Sequence, residues 1–254
     1  MSGANALNQL AEVLARPDVW RGGCFPGTSL LALPSGFAAL DAELPGGGWP
    51  RGALTELLVD GAGLGEISLL LPALRAICGN DGKGDEGGWS LLVAPPHPPH
   101  APAWAAAGID LARLMVVAPA AGKRAASDAL WAMEQALASA APRAVLGWSA
   151  GADARAVRRL QVAAGGSGAL AFLLRPLCTA AEATAAPLRL RLCAAPQGRL
   201  GVQLIKRRGP PLTRPLWLTL PRPKTLHWRN HASTLAGAPS AAVAARSPSW
   251  PALA

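Results

Sequence analysis

Residues 54–71 read LTELLVDGAGLGEISLLL. The mostly apolar run Leu54–Val59 gives way to Gly61, Gly63 and Gly65, and apolar residues then recur at Leu69, Leu70, Leu74 and Ile77. A short apolar run predicts a buried strand, the glycines a turn, and the three-to-four spacing a helix over 66–77. Strand, glycine-rich turn and helix together form the arrangement in which backbone N–H groups cradle phosphate. The chemistry of that arrangement is missing here. A phosphate loop needs glycine, four residues, then Gly-Lys-Ser/Thr, with lysine neutralising phosphate and the hydroxyl on magnesium. This loop is one residue short, with Glu66 at the lysine place and Ile67 at the hydroxyl place. A carboxylate repels a triphosphate and an isoleucine cannot ligate a metal. The expectation is therefore a degenerate loop, Gly61, Gly63, Gly65, Glu66 and Ile67, holding no nucleotide cofactor.

Working outward, the alternation continues. Upstream, Ser35 or Gly36 opens a short helix through Leu40, closed by Pro45-Gly-Gly-Gly48. Downstream, strands are expected at 90–94, 114–117, 144–148, 169–174, 188–193 and 201–206. Helices are expected at 104–107, from Ser127 or Asp128 to about 140, and from Asp153 to 164. Strands alternating with helices, followed by consecutive strands, predict an α/β sandwich whose mostly parallel central sheet ends in antiparallel strands. Residues 1–32 read as a helical arm and loop, with Leu7, Leu10, Val13 and Leu14 apolar before Pro17. Residues 79–88 read as a surface loop, and 221–254, rich in Pro, Ala, Ser and Arg, as a flexible basic tail.

Composition narrows the class. The chain has 254 residues, 51% hydrophobic and 15% charged, with 28 Gly, 24 Pro and no Tyr. That apolar content excludes a wholly disordered chain. No run approaches the ~18 apolar residues of a membrane span, and the N-terminus lacks the basic and apolar regions of a secretory signal. Cys24, Cys78, Cys178 and Cys193 are scattered, without a CxxC pair, which points to a reduced, cytoplasmic setting and away from zinc. His97 and His100 have no third ligand near them in sequence, so no metal is expected. No Ser-His-Asp or Cys-His arrangement stands out, and no catalytic residue is assigned. Charge is divided unevenly: residues 1–142 carry 8 Lys/Arg and 13 Asp/Glu, residues 143–254 carry 16 and 2. The basic half suits an anionic partner, nucleic acid or acidic protein. GC-rich coding would also produce this composition, given 4 Lys among 24 basic residues.

The candidate contact residues follow. Lys206, Arg207 and Arg208 sit between a strand and Gly209-Pro-Pro, a basic cluster suited to phosphate or carboxylate. Arg155, Arg158 and Arg159 share one helix face, with Val157 and Leu160 turned to the core. Arg189 and Arg191 share one strand face, either solvent or groove. Trp228 and Arg229 in the tail suit docking to a partner. Among the nine tryptophans, Trp20 and Trp49 flank Gly/Pro loops and Trp217, Trp228 and Trp250 lie late in the chain. Exposed tryptophans anchor interfaces, whereas Trp89, Trp131 and Trp148 are expected to pack in the core.

The order of motifs resembles the core of the RecA recombinase. Ser35-Gly36, Leu40-Asp41, Gly47-Gly48, Gly52 and Glu56 lead into the degenerate loop. Residues 93–117, 128–137, 144–149, 187–192 and 202–212 resemble the segments that follow, so the likeness covers about 33–220 and implies a RecA-like domain there. It also implies that Pro96 replaces the water-activating glutamate and Trp148 the magnesium-holding aspartate of the Walker B strand. With Glu66 and Ile67, four parts of phosphoryl-transfer chemistry are lost. The segment 176–187 falls where the recombinase carries its DNA-gripping loop, yet is short, with Glu182 its only charge. The basic turn at 206–208 falls at the subunit interface of the recombinase.

LPSGFAALDAELPGGGWPRGALTELL, GLGEISLLLPAL, DALWAMEQAL and LIKRRG resemble one family more closely, the translesion-synthesis-associated ImuA proteins, RecA-like and related to the SulA division inhibitors. That resemblance implies a non-catalytic accessory protein of SOS-induced, error-prone translesion synthesis. The implied partners are ImuB, a Y-family polymerase homologue lacking its catalytic residues, the RecA recombinase itself, and indirectly a damage-tolerant C-family polymerase subunit. Direct DNA contact stays open. So do a SulA-like division inhibitor, a RecA-like ATPase or recombination mediator, and a plain single-stranded DNA binder.

Overall fold

A computed structural model describes residues 32–79, 88–195, 198–209, 212 and 214–221. The expected arm at 1–31, the loop at 80–87 and the tail from 222 onward, with Trp228 and Arg229, lie outside the described residues.

The described chain begins with a two-residue strand β1 (Ala32–Leu33), antiparallel to β2 (Trp49–Pro50), with helix α1 (Ala38–Asp41) between them. Then follow β3 (Ala53–Val59), α2 (Glu66–Cys78), β4 (Ser90–Val93), α3 (Ala101–Ala106) and β5 (Leu114–Val117). The remainder is α4 (Ala125–Ala138), β6 (Ala144–Trp148), α5 (Ala154–Ser167), β7 (Leu170–Pro176), β8 (Leu188–Ala194), β9 (Leu200–Lys206) and β10 (Leu216–Leu218). Strands β3 to β10 form one sheet in the order β10-β9-β8-β3-β7-β6-β4-β5. From β8 across to β5 every neighbour is parallel, and β9 and β10 are antiparallel. The fold is the expected α/β sandwich: a large, mostly parallel sheet ending in antiparallel strands.

Central parallel strands are covered on both faces, so they carry near-continuous apolar runs. Strand period then divides each between two cores. In β7, Leu170, Phe172 and Leu174 join α1 and α2 on one face, while Ala171 and Leu173 meet α4 and α5 on the other. Helix α4 contributes Leu130, Met133 and Leu137, and α5 contributes Val157, Leu160 and Ala164.

Several local expectations change. Ser35 does not cap α1; its hydroxyl accepts from Phe37 N, and its own N–H donates to Asp41 at 2.8 Å. Neither Ser127 nor Asp128 caps α4, which begins two residues before Ser127; the Ser127 hydroxyl donates to Arg124 O instead. Asp153 does cap α5, accepting from Ala156 N at 2.7 Å. Helix α3 starts at Ala101, three residues before the expected Trp104, because His100 Nδ1 accepts from Ala103 N and Pro102 fits the first turn. Trp49 beside its glycine loop is wholly buried, edge-on to Phe172 with ring centres 5.2 Å apart. Trp131 reverses the other way: it is 62% exposed on α4. Trp217 stays about half exposed.

Candidate functional site

The C-terminal ends of β3 and β6 and the chain after β4 meet around an open cavity of about 420 Å³. Crevices outside the carboxyl ends of parallel strands are where α/β folds bind ligands. Gly61, Ala62, Glu66, Pro96, Trp148 and Ser149 all line it. Gly61 of the loop is thus assembled at one place with Pro96 and Trp148, which follow it by 35 and 87 residues in sequence.

The loop is built to present its N–H groups. Gly63 and Gly65 have φ of +87° and +104°, in the left-handed region where residues with a Cβ are strained. A Cβ at Gly65 would also meet Leu220 Cδ1, the tip of a side chain that would have to turn aside. Glu66 opens α2 and turns back over the loop. Its Oε1 accepts from Gly63 N at 2.9 Å and its Oε2 from Gly65 N at 3.0 Å. Glu66 as a whole is 5% exposed. It therefore takes the donors and the helix-end position that a phosphate would take. A glutamate near a helix start reaching back to free N–H groups follows capping-box logic, which is the signal by which the sequence offers this contact. Ile67 packs against the core shared with α1 and α2. Trp148 is half-buried against the same core, and Pro96 is exposed. The walls are chiefly apolar, including Val59, Leu174 and Leu177, with Asp60 at the loop. Ser149 Oγ is buried without a hydrogen-bond partner.

Behind the cavity lies a charged cluster that sequence reasoning missed. Glu56, in mid-β3, is fully buried. Arg175 of β7 donates to its Oε1 at 2.9 Å, and Thr184 donates to its Oε2 at 2.5 Å. Arg189 of β8 brings Nε to 3.0 Å of Glu56 Oε2. That N–H is angled away from the oxygen, so the attraction is Coulombic and Nε lacks a hydrogen bond. The other Arg189 nitrogens donate to Thr179 O, Ala180 O and Glu182 O, and Arg175 also donates to Ala152 O and to the Glu182 carboxylate. Burial lowers the Arg175 pKa, but the hydrogen bonds and charges of Glu56 and Glu182 outweigh it, and the net shift is upward. The signal was a lone glutamate inside an apolar strand; buried charges must be paired.

This cluster also anchors part of segment 176–187. A turn of 3-10 helix, Leu177–Ala181, and the chain after it are held against β3 and β8 by the two arginines. Arg189 and Arg191 also diverge: the register shifts between Arg189 and Leu190, and Arg189 is buried while Arg191 is exposed.

The basic candidates separate likewise. Lys206 donates to Thr184 O at 2.8 Å, and Arg207 donates to both Glu43 O and Glu43 Oε2 at 2.6 Å. Lys206 and Arg208 are both exposed, and among the described residues only Arg207 of the three has an ion pair. On α5, Arg159 pairs with Glu134 of α4 at 3.1 Å, while Arg155 and Arg158 are exposed. Among the described residues, no group of three or more His, Cys, Asp or Glu side chains could hold a metal, and no helix is long and apolar enough to cross a membrane. No protein-family model matches the chain, and no curated protein matches it.

Proposed function

We propose that this chain is a non-catalytic accessory protein of SOS-induced, error-prone translesion DNA synthesis in the cytoplasm. It offers a RecA-like surface to a catalytically inactive Y-family polymerase homologue of the ImuB type, and to the recombinase. The damage-tolerant C-family polymerase subunit is reached through the first of these. The biological setting rests on the resemblance of residues 33–220 to ImuA and RecA. One observation carries the mechanism: the Glu66 carboxylate occupies the N–H groups of Gly63 and Gly65. A nucleotide would have to displace a carboxylate that is covalently part of the chain and always present. It would then meet Ile67, Trp148 and Pro96, none able to hold magnesium or activate water.

In a titration of the full chain, MgATP is expected to give no saturable signal, and tight magnesium-dependent binding overturns the mechanism. In cells, deletion is expected to reduce ultraviolet-induced mutation. Equal mutation frequency in the deletion strain and its parent removes the biological assignment.

A further inference from the structure

Helices α4 and α5 lie side by side on one face of the sheet. Their inward stripes are apolar, as a core requires, but two large apolar side chains point outward as well. Trp131 is 62% and Val162 69% exposed. The Glu134–Arg159 ion pair ties the two helices together and fixes where the surrounding residues stand. Trp131 is one turn before Glu134 on α4; Arg155 and Val162 are one turn before and after Arg159 on α5. Neighbours at i±3 and i±4 on one helix have Cβ atoms about 5–6 Å apart, so Trp131 adjoins the Glu134 end of the ion pair and Arg155 and Val162 adjoin its Arg159 end. Arg158 stands with these two, three residues after Arg155 and four before Val162. Neither Arg155 nor Arg158 has an ion pair among the described residues. Exposed large apolar side chains interleaved with charge suit contact with another protein.

We propose that the α4–α5 face docks an acidic amphipathic segment of another protein. Its apolar side chains lie over Trp131 and Val162, and its carboxylates accept from the Arg155 and Arg158 guanidiniums. Arginine–carboxylate pairs of this kind are planar and bidentate, giving direction as well as strength. Tryptophan is the residue type most suited to anchoring such a contact. Two other occupants fit less well. A nucleic-acid strand is held by rings on which successive bases stack, and Val162 offers none. A second copy packed on the same face by two-fold symmetry would bring arginines against arginines. The inference rests on the proposed function only in giving the chain a protein partner; it adds the surface and the partner's chemistry.

The test is selection of 12-residue peptides from a random display library on the full chain, with counter-selection on the Arg155→Glu/Arg158→Glu variant. Acid-rich peptides bearing Leu, Phe or Trp are the expected winners. Synthesised, they should bind at least about tenfold more weakly to Trp131→Ala and to Arg158→Glu, the scale of an interface anchor. Arg158→Glu alters an exposed side chain and keeps the test standing if Trp131→Ala does not fold. Winners without acidic residues, winners indifferent to both substitutions, or no winner at all overturn the proposal. So does a labelled oligo-dT strand whose binding is lost in the same variants. Unchanged mutation in a deletion strain overturns the biological setting and leaves the peptide result in force; loss of mutation on deletion with failure of the peptides overturns only this face.

Discussion

Two pairs of arginines show how differently one side chain is used. Arg175 and Arg189 of β7 and β8 are buried around Glu56, and their terminal nitrogens also reach main-chain carbonyls. Arg155 and Arg158 of α5 stand in solvent beside Trp131 and Val162. In the sequence both pairs read as basic residues among apolar ones. What separates them is an acid on a distant strand: Glu56 precedes Arg175 by 119 residues. An arginine without such a partner inside the fold stays at the surface, available to a partner outside it.

The contrast is broken most forcefully at Glu56. Glu56→Leu leaves Arg189 buried without a carboxylate and Arg175 with only the half-exposed Glu182, and urea unfolding should record a loss of about 3–5 kcal/mol. The triple replacement Glu56→Leu/Arg175→Met/Arg189→Met should recover much of it, since no orphan charge remains; a triple variant no better than the single one would mean that the carbonyl contacts to 177–187 carry the stability. Next in size is Asp153→Ala, which removes the α5 cap beneath the exposed arginines and should cost about 1 kcal/mol by the same measurement. Cys78 supplies a pH dependence. Burial pushes its thiol above the ordinary value of 9.0, against a weaker downward pull from Ser90. The folded state then holds its proton where the unfolded state releases it. Stability is unaffected below pH 9 and falls as pH rises beyond it, up to the folded-state pKa. Cys78→Ala should flatten that alkaline slope in thermal melts. Smallest of all is Arg155→Glu/Arg158→Glu, expected to stay within about 0.5 kcal/mol of the parent; a larger loss would place those arginines in the fold rather than at an interface.

Local chemistry made part of this legible. The bounds of β5 and β6 follow from short apolar runs, and the start of α5 from Asp153. The degenerate loop, Pro96 and Trp148 could be named without coordinates, although only the fold brings them to one cavity. The misses have a common cause. Trp49 is buried and Trp131 exposed because the layers on either side decide the matter, and neither neighbourhood is local in sequence. The β1–β2 pair and β10 are two or three residues long, too short for any period to show. Lys206 and Arg207 looked like a free cluster because their acceptors, Thr184 and Glu43, come from other parts of the chain.

Synthesis exposes one more consequence of the Glu56 cluster. The β3 strand leaves the ribosome long before β7 and β8, its two neighbours in the sheet. At ~5–20 residues per second, the 119 residues separating Glu56 from Arg175 take roughly 6–24 s to appear. Throughout that interval LTELLV is an apolar strand with both edges unsatisfied, the kind of segment that pairs with the wrong chain. The single carboxylate in its middle opposes such pairing, until the arginines arrive and neutralise it. The residue that anchors the finished sheet also guards the unfinished one.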